Sequence, residues 1–80
     1  MKYDADKVDE MALALLHLVT SGYQEGCGAR AWKGLDVNVL ARLHAKGWID
    51  EPMTKSLSLH LTDEGYRKSR ELFLRHFAQP

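Results

Sequence analysis

Residues 46–65 read KGWIDEPMTKSLSLHLTDEG, and within this stretch one helix ends, leucine alternates with polar residues, and a second helix begins. Gly47 stands where a left-handed residue closes a helix. Trp48 and Ile49 have the side chains of a short strand, Asp50 to Lys55 form a polar connection containing Pro52, and Ser56 to Leu61 read as a second strand. The period of two places Leu57, Leu59 and Leu61 on one face, predicted buried, and Ser58 and His60 on the other. An isolated pair of strands is unstable in water, so this two-stranded antiparallel wing, residues 48–61, must lie on helices.

The helices announce themselves by a shared start signal, an Asp or Thr cap with an apolar residue before it and another four positions after it. Tyr3–Asp4–Val8, Leu35–Asp36–Leu40 and Leu61–Thr62–Tyr66 each match it. The first helix is expected from about Asp4 to Thr20, with Val8, Met11, Ala12, Leu15, Leu18 and Val19 on its inward stripe and Leu13 and Leu16 widening it. The second runs from about Asp36 to Lys46. The third runs from about Asp63 to Phe77, with Tyr66, Ser69, Phe73 and Phe77 inward, acids at its start and Arg75 and His76 at its end. The glycine-rich segment SGYQEGCGARAWKG, 21–34, reads as irregular, with at most a turn of helix around Ala29 to Lys33.

Eighty residues make one small domain, 1–80, near the size at which a single core barely suffices and a partner often adds buried surface. An apolar content of 45% and a charged content of 28% are those of a soluble globular chain. The longest apolar run, MALALLHLV at 11–19, is too short to span a bilayer, so no membrane association is expected. The lone Cys27 and an acidic N-terminus without a signal-peptide core point to a cytoplasmic setting. Lys plus Arg equals Asp plus Glu at 11 each, a balance unlike that of a generic phosphate binder.

The order of helix, irregular turn, helix, strand, tip, strand and helix is that of a small winged helix, an α+β, mostly helical fold. LARLHAKGWID followed by LSLHLTDEGYRKSRELF resembles the recognition helix, wing entry and final helix start of multiple-antibiotic-resistance-type bacterial repressors, over roughly residues 35–77. The whole chain, through MALALLHL and GARAWKGLDVNVLARLHAKGWI, also resembles a small uncharacterised bacterial domain family. In the repressors a helix precedes the recognition helix and crosses the DNA backbone. Here GCGARAWKG takes that place.

A nucleic-acid reading assigns roles on the second helix and the wing. Val39, Leu40 and Leu43 point inward, leaving Asn38, Ala41, Arg42 and Ala45 on the opposite side and Lys46 at the edge. Asn38 and Arg42 could read adenine and guanine edges, while Lys33, Lys46 and Lys55 hold phosphates. Equally, these are ordinary solvent-facing residues, and the fold serves as a protein-interaction module with an unknown partner. Trp32 and Trp48 are either hot spots for a partner or, as expected for so short a chain, closures of the core. Leu13, Leu16, Leu72, Leu74 and Phe77 exceed what one small domain covers, so the first and last helices are expected to pair in a homodimer.

Catalytic and cofactor chemistry find no footing. His17, His44, His60 and His76 share no ligand spacing, Cys27 has no CxxC and no recognisable base, and GCG lacks the Gly-Lys-Ser/Thr ending of a phosphate loop. A non-catalytic binding module without metal or cofactor is the expectation, with DNA, a protein partner and a second copy as its candidate partners.

Overall fold

The computed structural model describes residues Met1–Pro80. Helix α1 spans Ala5–Leu16 and continues into a single 3-10 turn, His17–Val19. Strands β1, Ser21–Gln24, and β2, Gly28–Trp32, follow, then α2, Val37–Ala45, β3, Ser58–Leu61, and α3, Asp63–Phe77. All three caps form. Asp4 accepts from the Lys7 N–H, Asp36 from those of Asn38 and Val39, and Thr62 from that of Gly65. Gly47 closes α2 at φ 79°.

The fold is α+β, with three helices and one antiparallel sheet of three strands in the order β1-β2-β3. Two of the three strands, β1 and β2, come from the segment expected to be irregular. Residues 21–32 form a hairpin, and β2 pairs along the whole of β3, from Ala29 opposite Leu61 to Trp32 opposite Ser58. The strand signal is weak because β2 carries alanines rather than β-branched residues. Those alanines serve packing: Ala29 and Ala31 are buried beside Leu59 and Leu61, where small side chains keep the sheet close to the helices. Gly28, at φ 98°, is required, since a Cβ there would stand 2.0 Å from the Leu61 carbonyl oxygen.

The 48–61 pairing is present at its base. Ile49 bridges Leu61, the Asp50 N–H donates to the His60 carbonyl at 2.9 Å, and the Thr62 N–H to that of Trp48 at 3.0 Å. Leu59 and Leu61 are buried as expected, but Leu57 is 96% exposed. The ladder begins at Ser58, so the pleat that would turn Leu57 inward does not extend to it.

The core gathers Leu13, Leu16, Leu43, Ile49, Leu61 and Leu72, with Trp48 partly buried against it. This corrects the orientation of α1. Its inward face is Asp9, Leu13, Ala14 and Leu16, whereas Val8, Leu15, Leu18 and Val19 are exposed. The second half of the helix, from Met11, is apolar on every side, so periodicity alone could not choose the buried one. On α3 the buried positions are Gly65, Ser69 and Leu72, and Phe77 is exposed. Gly65 lets α3 lie directly on the chain at Trp48, where a Cβ would come within 1.8 Å of the carbonyl oxygen.

Candidate functional site

The five residues assigned to nucleic acid separate into different environments. Asn38 and Lys55 are exposed, and Lys55 takes part in no ion pair. Lys33 donates from Nζ to the carbonyls of Thr54 and Ser56 at 3.0 and 3.1 Å, pinning the loop that carries Lys55. Arg42 does not occupy an outer stripe. It turns to α1, where its Nε donates to both carboxylate oxygens of Asp9 at 2.9 and 2.8 Å. Lys46 joins it, donating to Asp9 at 2.8 Å and to Asp6 at 2.9 Å.

The physical reason is Asp9, whose side chain is fully buried. An unpaired carboxylate there would be expensive, so α2 supplies two cations. Burial alone would raise the Asp9 pKa, but the hydrogen bonds and charges of Arg42 and Lys46 outweigh it and hold the carboxyl below its ordinary range. The hydrogen bond to Asp9 in turn raises the pKa of Arg42. Burial works against a charged Lys46, but its bonds to Asp9 and Asp6 prevail and raise its pKa as well. The cluster therefore joins α1 to α2. The sequence reading missed it because Asp9 and Arg42 are far apart in the chain.

The outer face of the sheet carries a second polar group. His60 Nδ1 pairs with Asp50, and His44 Nδ1 donates to the Ile49 carbonyl at 3.1 Å. Arg30 stands opposite His60 in the ladder, and the free, exposed Cys27 lines a shallow depression with them. No group of three or more His, Cys, Asp or Glu side chains is placed to hold a metal ion.

A further surface is mainly apolar. Its first part is the outward side of α1, where Val8, Met11, Ala12 and Leu15 border a hollow shared with Leu35. Ala12, Leu15 and Leu35 continue into a cleft of about 230 Å³ whose remaining walls are Leu16, Val19 and Trp32, every one of them apolar. Trp32 and Leu35 are in turn walls of a wider depression bounded by Val37, Pro52, Met53 and Leu57. The three hollows share walls and so adjoin one another from α1 to the 50–57 loop, where Lys33, Thr54 and Ser56 also line the depression. Trp32 does not close the core: it is 60% exposed, its indole lying over Gly34 so closely that a Cβ there would stand 1.9 Å from the ring. Met53 is 77% exposed and Leu15 52%.

Leu13, Leu16 and Leu72, expected to be surplus surface, are buried; Leu74 is exposed, and so is Phe77, which the helical pattern places inward. A sequence signal for the true face existed, in the apolar residues left over once one stripe of α1 is assigned inward. Nothing local said which stripe that was.

Residues 4–79 match the model of a family described as a domain of unknown function, DUF6429. An uncharacterized protein, y4hR, from Sinorhizobium fredii (strain NBRC 101917 / NGR234) is 49% identical over 79 residues, covering 99% of this chain and 100% of its own length. No solved structure matches the chain. No helix is long and apolar enough to cross a membrane. The chain belongs to the DUF6429 family.

Proposed function

We propose that the chain is a non-catalytic binding module that takes a polypeptide onto its apolar face. The observation that carries this reading is the continuity of exposed side chains from Leu15 through Trp32 to Leu57. Monomeric soluble proteins rarely leave a contiguous apolar patch larger than a few hundred Å². Trp and Met are also the side chains that partner interfaces favour, being large and, for Trp, rigid.

A second reading keeps DNA as the partner of α2 and the 48–61 segment. What supports it is the exposure of Asn38, Lys55 and Arg30. Against it stands the engagement of Arg42 and Lys46 by Asp9 and Asp6, since a cation already paired gains little from a phosphate. On this reading Lys55→Ala weakens binding to every sequence, whereas Asn38→Ala relaxes base preference.

A photo-crosslinking amino acid at position 32, with a fluorescence-anisotropy titration against random duplex at low salt, separates the two. Crosslinks from position 32 to polypeptide, with no anisotropy rise at tens of micromolar protein, are expected. A salt-sensitive rise on duplex without any polypeptide crosslink would overturn the protein-interaction reading in favour of DNA.

A further inference from the structure

Resting on the protein-interaction reading, we propose that the partner on the apolar face is a second copy of this chain. The pair is two-fold symmetric, with the Met53–Leu57 projection of each copy entering the cleft between α1 and Trp32 of the other.

Area is the first argument. The exposed fractions of the apolar residues on this face correspond to roughly 800 Å² per copy, which is the size of a standard specific interface. The whole chain exposes 5465 Å², against about 4900 Å² for a compact monomer of its mass. Extents of 35 × 32 × 18 Å describe a thin slab, a shape that exposes more surface than a sphere of the same volume.

Shape is the second argument. A two-fold interface uses one patch that complements itself, so a projection and a matching recess must lie side by side on it. Leu57, at 96% exposure, and Met53 project from the loop, and the all-apolar cleft of about 230 Å³ is its neighbour across the shared walls Trp32 and Leu35. A projection and recess on opposite faces would instead build open chains.

Preorganisation is the third. Lys33 Nζ bonds two carbonyls of the projecting loop, and the Glu51 carboxylate accepts from the Met53 N–H at 2.9 Å. A loop already held in shape loses less entropy on docking. The rim of the face near α1 bears Asp4 and Lys7, one of each sign, and the projection carries the exposed Lys55, whose long stem lets the ammonium stay in water while Met53 and Leu57 dock.

Sedimentation equilibrium from low to several hundred micromolar tests the proposal on wild type, Leu15→Glu, Leu57→Lys and an equimolar mixture of the two variants. Both substitutions fall on exposed side chains, and circular dichroism confirms that each variant folds. Wild type is expected to dimerise, and each variant alone to associate at least about thirtyfold more weakly, the effect of losing an interface hot spot. The mixture is expected to regain dimer, because one contact is intact and the other sets the introduced lysine of one copy against the introduced glutamate of its partner. A wild type that stays monomeric, or a dimer that survives both substitutions, overturns the second copy as partner. If that monomer still crosslinks from position 32 to a different polypeptide, the binding-module reading stands; if it crosslinks to nothing, both readings fall.

Discussion

Asp9 is the residue on which the arrangement of the helices turns. Its carboxylate is buried and held by Arg42 and Lys46, whose own side chains are about 30% exposed. Replacing it with Asn keeps the shape and removes the charge, leaving two cations facing an uncharged amide. The expected cost is about 3 kcal/mol, at the lower end for a broken buried pair because both cations can turn to water. Urea unfolding followed by circular dichroism measures it. The carboxyl titrates below its ordinary 3.8, so the stability it contributes is present above that value and is lost as pH falls through its lower folded value. Gly65→Ala is expected to be harsher than a surface change in the first turn of a helix. Its Cβ meets the Trp48 carbonyl, and α3 must lift by about an ångström or more at a cost of about 1 to 3 kcal/mol.

Between elements, α1 meets α3 through His17, whose ring lies 5.5 Å from those of Tyr66 and Phe73, with Ser69 Oγ at 3.3 Å from its Nδ1. Burial, and then the nearby Arg70 charge, lower its pKa from 6.5. The unfolded chain therefore takes up a proton that the folded chain resists, so this contact favours folding above pH 6.5 and does so less as pH drops toward the lowered folded value. Thermal melts between pH 7.5 and 5 are expected to show a decline that His17→Phe flattens. The β1–β2 hairpin is fastened to the start of α3 by Tyr23. It stacks on Tyr66 at 3.9 Å and donates to Asp63 at 2.8 Å, while Asp63 also accepts from the Gly26 N–H. Within the segment leading through β3 the leucines divide: at protein concentrations too low for association, Leu59→Ala should cost about 2 to 4 kcal/mol and Leu57→Ala close to nothing. Equal urea midpoints for the two would contradict the strand start at Ser58.

At the scale of the molecule, the proposed pairing of two copies makes stability depend on protein concentration. If two copies cover the apolar face, the melting temperature rises with protein concentration for wild type and stays constant for Leu57→Lys. Scanning calorimetry over a hundredfold range of concentration reads this directly, and a melting temperature independent of concentration in wild type would count against pairing.

The sequence by itself determined the three helices, their caps, the stop at Gly47, and the inward leucines of β3 at 59 and 61. Each of these depends on a spacing of a few residues: a cap on the next turn, a pleat on a period of two. What only the tertiary structure decided involves residues far apart in the chain. Strand β2 exists because alanines at 29 and 31 fit beside Leu59 and Leu61, a condition that strand propensity does not contain. The side of α1 that faces inward was open while the helix was viewed alone, because its second half, from Met11, is apolar on every side. Arg42 on α2 and Lys46 just past its end meet the buried Asp9 on that side, and Leu15 and Val19 are left exposed on the other, beside Trp32.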